Sequence, residues 1–259
     1  MLEKELNAMI LAGRKASEEI MKIYKKGFNV TIKSDQSPVT DADIASNKII
    51  RETLSPFSDI GWLSEEDYDD RSRLEKRKLF VIDPLDGTSD FVERDDSFGV
   101  NIALVVDREP VCSVIAIPAQ NRIYYAVKNK GSYFLDGNES LALQVSDRLD
   151  HLVFLTSKTH SSLEEENIIK ANHHVIDKVV PLGASTKAVA IAEGKADCCI
   201  RYTKLTKEWD VCAPDLLVRE AGGLFVDTLG QPFVYNRENV YNLNGYCMFN
   251  RKENLKFIL

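Results

Sequence analysis

Asp83-Pro84-Leu85-Asp86-Gly87-Thr88 follows directly on Lys78-Leu79-Phe80-Val81-Ile82, whose four consecutive apolar residues, two of them β-branched, read as a short buried strand. The sequence predicts that the strand stops there. Proline removes a ladder donor and fixes φ, and the glycine after the second aspartate permits a sharp reversal. The reversal folds Asp83 and Asp86 back on one another with the Leu85 carbonyl between them. Carboxylates at the end of a buried strand are costly unless paired or metal-bound. Three hard oxygens converging there suit Mg²⁺.

The remaining chain is ordinary in bulk. It has 259 residues, 44% hydrophobic and 28% charged, with a formal net charge of −7, which fits a sizeable core and argues against binding a nucleic-acid polymer or a membrane surface. A small anionic substrate stays compatible with that charge, because bound divalent cations invert the local field. Residues 1–25 carry Leu2, Leu6, Met9, Ile10, Ala16, Ile20 and Ile23 among charges, the pattern of an amphipathic helix and not of a signal peptide or membrane span. Cys112, Cys198, Cys199, Cys212 and Cys247 are odd in number and form no C-x-x-C pair, so reduced thiols in a cytoplasmic protein are expected.

Taken in order, helices are expected at 1–25, from about 41 to 54, and at 163–171, 185–193 and 209–221, with Thr40 or Asp41 capping the second. Strands are expected at 60–63, 78–82, 99–106, 111–117, 122–127, 131–135, 152–156, 175–180, 196–202 and 224–227, with a polar turn at 33–38. Helices and strands alternate without repeats or a Pro/Gly/Ser-rich linker. We therefore expect a mixed α/β chain acting as one unit, 1–259, with a lobe division near residue 145.

Acidic residues recur at element ends: Asp43, Glu65-Glu66-Asp67, Asp83 with Asp86, and Asp210. Taken singly, Asp43 reads as a helix cap, 65–67 as a solvated loop face, and Asp210 as a helix-start residue.

Together, Glu65-Glu66, the Asp83–Thr88 run and Trp209-Asp210 with Glu220-Ala221-Gly222-Gly223 resemble the lithium-sensitive, Mg²⁺-dependent phosphatases of the inositol monophosphatase superfamily. The resemblance spans nearly the whole chain and implies a layered α-β-α-β-α sandwich. It implies that Glu65, Asp83 and the Leu85 carbonyl hold one Mg²⁺, that Asp83, Asp86 and Asp210 hold a second, and that Glu66 supports a third. Thr88 and Asp43 resemble the pair that activates the attacking water, and the Gly87 and Thr88 amides, opening a helix, would cradle phosphate oxygens.

Finer features bear on which phosphate ester is cleaved. Leu63-Ser64-Glu65-Glu66-Asp67 and Phe98-Gly99-Val100-Asn101-Ile102-Ala103-Leu104 resemble the bacterial 3'(2'),5'-bisphosphate nucleotidases that clear adenosine 3',5'-bisphosphate in sulfate assimilation, and an acid, Asp90, stands where inositol monophosphatases usually have asparagine. Thr156-Ser157-Lys158-Thr159-His160 and Gly183-Ala184-Ser185-Thr186-Lys187 are similar to two further stretches of that branch, and Arg201 falls where it carries a strand-end arginine. The resemblance implies that His160, Ser185, Lys187, Arg201 and Asp210 contact substrate. Ala184 replaces a serine, Lys158 an arginine, and Lys207-Glu208 an apolar residue, departures that would weaken a phosphate, ribose or adenine contact. An inositol or other sugar phosphatase is the alternative within the class, and a catalytically silent regulatory or Mg²⁺-sensing protein the alternative outside it. Family members occur as monomers and dimers, so a homodimer is compatible with the resemblance.

Overall fold

A computed structural model of the chain describes residues 2–33, 36–158 and 161–258. Helix α1 (Glu3–Lys26) buries Met9, Ala12, Ala16 and Ile20, spaced three or four apart along one face. Where the sequence predicts only a turn, a short antiparallel pair forms, β1 (Val30–Ile32) with β2 (Pro38–Thr40). Thr40 then caps α2 (Asp41–Leu54). Its hydroxyl accepts from the Ala42 amide at 3.1 Å, and Asp43 Oδ2 accepts from the Thr40 amide at 2.7 Å.

Next come β3 (Gly61–Ser64), β4 (Lys78–Asp86), the short α3 (Thr88–Val92) and a meander of β5 (Gly99–Val106), β6 (Glu109–Ile117), β7 (Arg122–Val127), β8 (Gly131–Asp136) and β9 (Glu139–Ala142). Asp107 and Arg108 both have positive φ, 51° and 68°, the signature of a two-residue hairpin turn. That tight turn starts β6 at Glu109, earlier than its apolar run suggests. The second half contains β10 (Leu152–Thr156), α4 (Leu163–Ala171), β11 (Ile176–Pro181), α5 (Thr186–Ala192), β12 (Cys198–Arg201), α6 (Glu208–Glu220), β13 (Leu224–Val226) and β14 (Tyr246–Phe249). β14 was not anticipated from the sequence.

The opening motif also departs from expectation, because β4 does not stop at Ile82 but runs on to Asp86. Asp83 lies opposite Asn101 and Asp86 opposite Gly99, so three steps along β4 match two along β5. The extra residue is a bulge, which bends the strand and re-aims its side chains without ending the pairing. It absorbs the proline.

Among the described residues, β3 to β9 form a seven-stranded sheet in chain order, and a five-stranded sheet runs β11-β10-β12-β14-β13. The first is antiparallel except at β3/β4, and the second is parallel at β10/β11 and β10/β12. One core lies between α1, α2 and the large sheet, where Met9, Ile50, Phe80, Ile102 and Val114 meet. A second lies between the two sheets, filled by α5 and α6 through Ile191, Leu216 and Leu217. A third covers the outer face of the small sheet, where Ile168 and Ile169 of α4 pack on Phe154 and Phe249. The architecture is the layered α-β-α-β-α sandwich. All five cysteines are buried thiols within it.

Fully buried Asp197 ties the small sheet to the crossover that enters it. Its carboxylate accepts from Arg148 Nε at 3.0 Å, the Val153 amide at 2.7 Å, Asn250 Nδ2 at 3.1 Å and the Ser146 hydroxyl. Asp197→Ala strands those donors in the interior and is expected to cost about 3 kcal/mol of unfolding free energy. Urea denaturation checks this as a lowered midpoint at unchanged slope.

Candidate active site

The bulge is held by its neighbours. Ser46 donates to the Pro84 carbonyl at 2.6 Å, and the Leu85 amide donates to Asp83 Oδ1 at 3.1 Å. Gly87 has φ of 89°, and a Cβ there would stand 2.9 Å from that of Ala184, so only glycine lets the 183–185 loop approach. Thr88 Oγ1 lies 2.9 Å from Asp43 Oδ1 and 3.2 Å from the Leu85 carbonyl. Asp43 Oδ2 is meanwhile taken by the Thr40 amide and hydroxyl at 2.7 and 2.6 Å. Asp43 is thus both the N3 acid of the α2 capping box and the partner of Thr88.

Glu65, Asp83 and Asp210 converge, each offering an oxygen within 4.8 Å of the others. Glu65 follows β3, Asp83 sits at the bulge, and Asp210 enters from the first turn of α6, where its Oδ2 accepts from the Lys207 amide at 2.5 Å. Asp86 stands beside this triad and outside it, with Oδ2 accepting from Asn101 Nδ2 at 3.0 Å and the Ser185 amide at 2.7 Å. Glu65 and Asp210 both lie beside Asp83, the residue that the resemblance implies is shared by two ions. Burial first, then the surrounding carboxylates, raises the pKa values of Asp83 and Asp210 well above the ordinary range. Burial raises that of Asp86 too, against the opposing pull of Lys187. An all-oxygen set with mutually repelling charges fits a hard divalent cation.

In the described structure the countercharge is supplied by Lys33, whose Nζ lies 3.1 Å from Glu65 Oε1 and 2.6 Å from Glu66 Oε1. Burial alone would lower its pKa, but the two glutamates outweigh burial and raise it. Lys33 was read only as part of a polar turn, and an isolated lysine there gives no sequence signal. Asp67, third of the acidic run, is structural and accepts from Arg51, Asn47 and the Trp62 indole.

The triad, Asp86, Gly87 and Thr88 line a cavity of about 300 Å³ together with Lys187 and Arg201. Lys187 is 5% exposed and donates to the Leu182 carbonyl at 3.2 Å; burial lowers its pKa from the usual lysine value. Arg201 Nη1 is held by Glu165 Oε2 at 2.6 Å, both side chains buried. Ser185 also lines the cavity, but its hydroxyl is buried against Gly99 and its amide serves Asp86. Lys158 pairs with Asp95 and donates to the Ser97 hydroxyl at 3.0 Å. His160 lies outside the described residues. Glu208, a departure from the family pattern, is fully buried; it accepts from the Asn236 and Arg237 amides at 2.7 and 2.8 Å and plays its part in the fold. Tyr246, from β14, lines the cavity as well; sequence reasoning missed it, since nothing local marks a tyrosine in an unrecognised strand.

A sequence model of the inositol monophosphatase family matches residues 1–256. The chain is 32% identical over 244 residues to the 3'(2'),5'-bisphosphate nucleotidase CysQ of Aggregatibacter actinomycetemcomitans, covering 92% of this chain and 90% of that one. It is 33% identical over 245 residues to CysQ of Escherichia coli K12, covering 92% and 96%. The crystal structure of CysQ from Bacteroides thetaiotaomicron superposes with a TM-score of 0.83 at 31% identity, covering 96% of this chain and 98% of that one. The chain belongs to the inositol monophosphatase family, whose members are metal-dependent. No helix among the described residues is long and apolar enough to cross a membrane.

The raised pKa values give a testable linkage. Unfolded aspartates titrate near 3.9, so without cation the folded chain binds these protons more tightly than the unfolded one. Their contribution to stability is complete below that pH and is lost as pH rises through the raised folded values. A divalent cation replaces the protons, so the thermal shift produced by Mg²⁺ is expected to be small at pH 5 and to grow toward pH 8. Paired melting curves measure it, and a shift independent of pH contradicts the linkage.

Proposed function

We propose that the chain is a Mg²⁺-dependent cytoplasmic phosphomonoesterase that hydrolyses adenosine 3',5'-bisphosphate to AMP and phosphate. The observation that carries this reading is one cavity lined by two chemically distinct groups, a carboxylate cluster beside a Thr88–Asp43 pair and buried Lys187 and Arg201. A monophosphate substrate needs the first group only. The CysQ relatives, named for a bisphosphate substrate, and the all-oxygen donor set support the same reading.

Two or three Mg²⁺ ions, held by Glu65, Asp83, Leu85 through its carbonyl, Asp86 and Asp210, with Glu66 for the third, would acidify the attacking water and neutralise charge on the phosphoryl oxygens. The residues of the chain do the rest. Asp43, fixed through Oδ2 by Thr40, accepts the Thr88 proton at Oδ1. That leaves Thr88 Oγ1 free to accept from the water and aim its lone pair at phosphorus. Burial raises the Asp43 pKa despite the Thr40 and Thr88 hydrogen bonds, which favours its receiving the proton. Gly87 and Thr88 would line the phosphoryl position, while Lys187 and Arg201, with the Ser185 turn, would face the phosphate that is retained; the resemblance adds His160 to that set. On this reading residues 1–259 act as one unit, the reaction drawn mainly from 1–145 and selection from 146–259.

Phosphate release from adenosine 3',5'-bisphosphate beside inositol 1-phosphate tests the substrate, and comparable or faster turnover of the inositol ester overturns it. Thr88→Ala is expected to lower kcat by about 10²–10⁴-fold with little change in melting temperature, whereas Thr88→Ser retains most activity. Asp86→Asn is expected to fold and be inactive, and wild-type turnover by that variant would remove the multi-metal mechanism.

A further inference from the structure

Tyr246 has no role in the reaction as derived above, yet its placement is closely specified. β14 pairs antiparallel with β12 so that Tyr246 stands directly opposite Arg201. Residues opposite one another across a ladder project to the same face with Cβ atoms about 5 Å apart, and both line the cavity. The close approach depends on the residue before it. Gly245 has φ of 68°, and a Cβ there would meet the Arg201 carbonyl oxygen at 2.0 Å. The Tyr246 ring is then stacked on buried Phe225, centroids 5.6 Å apart and planes 9° from parallel. The ring is fixed, so the direction of its hydroxyl is fixed too.

That hydroxyl has no hydrogen-bond partner among the described residues. Half-buried Tyr246 packs against the inter-sheet core, whose fully buried tyrosines spend their hydroxyls inside the protein: Tyr235 donates to Asp215 at 2.9 Å, and Tyr124 to Glu193 at 3.0 Å. Burial first, and then the Cys199 thiol, raises the Tyr246 pKa well above the ordinary tyrosine value, so at neutral pH it stays a donor. An oriented donor beside an arginine on a cavity wall suits an anionic acceptor.

We propose that Tyr246 is a substrate-contacting residue whose hydroxyl donates to the retained phosphate beside Arg201, selecting nucleoside bisphosphates over monophosphate esters. This rests on the bisphosphate reading given above.

The test is Tyr246→Phe in the full chain with Mg²⁺, which keeps the ring on Phe225 and removes only the oxygen. Kinetics are compared on adenosine 3',5'-bisphosphate and on adenosine 3'-monophosphate, which lacks the second anion. The KM for the bisphosphate is expected to rise roughly 10- to 100-fold, as for loss of one hydrogen bond to a charged group. Its kcat, both constants for the monophosphate, and the melting temperature should hold. An unchanged bisphosphate KM overturns the proposal, as does an equal loss on both substrates, which would mean a disturbed reaction centre. If the wild type turns over the monophosphate as well as the bisphosphate, the substrate reading fails and takes this one with it. If the wild type discriminates and Tyr246→Phe does so equally, only the role of Tyr246 falls.

Discussion

Like charges at the buried end of β4 set the terms for everything around them. At an effective dielectric of about 20, two unit charges roughly 5 Å apart repel by about 3 kcal/mol, and Glu65, Asp83 and Asp210 offer three such pairs. Much of the surrounding structure works to hold these groups where a cation can use them. Each aspartate gives one oxygen to the fold. Asp83 Oδ1 accepts the Leu85 amide, Asp86 Oδ2 the Ser185 amide, Asp210 Oδ2 the Lys207 amide, and Asp43 Oδ2 the Thr40 amide. One anchored oxygen fixes the rotamer, and the other is left for chemistry.

This double use explains why structural and functional readings of the same residue are not exclusive. Asp43 at the start of α2 and Asp210 at the start of α6 both sit where a carboxylate is favoured by unsatisfied amides and the helix dipole. Placement at a helix N-terminus is what fixes each of them in the site. The bulge in β4 does the same by other means, since it lets Asp83 and Asp86 point into the cavity while the strand stays paired to β5 on both sides of Pro84.

The parts of this arrangement legible in the sequence are those whose residues are contiguous. Asp83 to Thr88 announces a carboxylate cluster at a buried strand through composition alone, and the helices from 3 to 26, 41 to 54 and 163 to 171 announce themselves by period and cap. Single residues delivered by non-local pairing were silent. Lys33 reaches Glu65 and Glu66 because β1 folds against β2, a three-residue pair too short for any alternation to show. Glu165 holds Arg201 across 36 positions, and Tyr246 faces it across 45. Lys158 resembled a substrate contact by position, but Asp95 claims it, a competition that spacing cannot display. The extension of β4 past proline was missed for a related reason. Proline lacks a donor, but a bulge removes the need for one.

The division of labour in the cavity follows from its construction between two sheets. The carboxylates come from the ends of β3 and β4 in the large sheet and from α6 above it, whereas Lys187, Arg201 and Tyr246 come from α5 and the small sheet. On the proposed reading, reaction and selection would lie on different elements. The cationic wall is also expensive in isolation. Burial pushes Lys187 toward its neutral form, and Arg201 is buried against Glu165. On the proposed reading, an anion arriving between Lys187 and Arg201 would offset the desolvation of both, and a substrate without a second anion would leave that cost uncompensated. Discrimination can then come from the unfavourable state of the empty wall as much as from contacts made when it is filled.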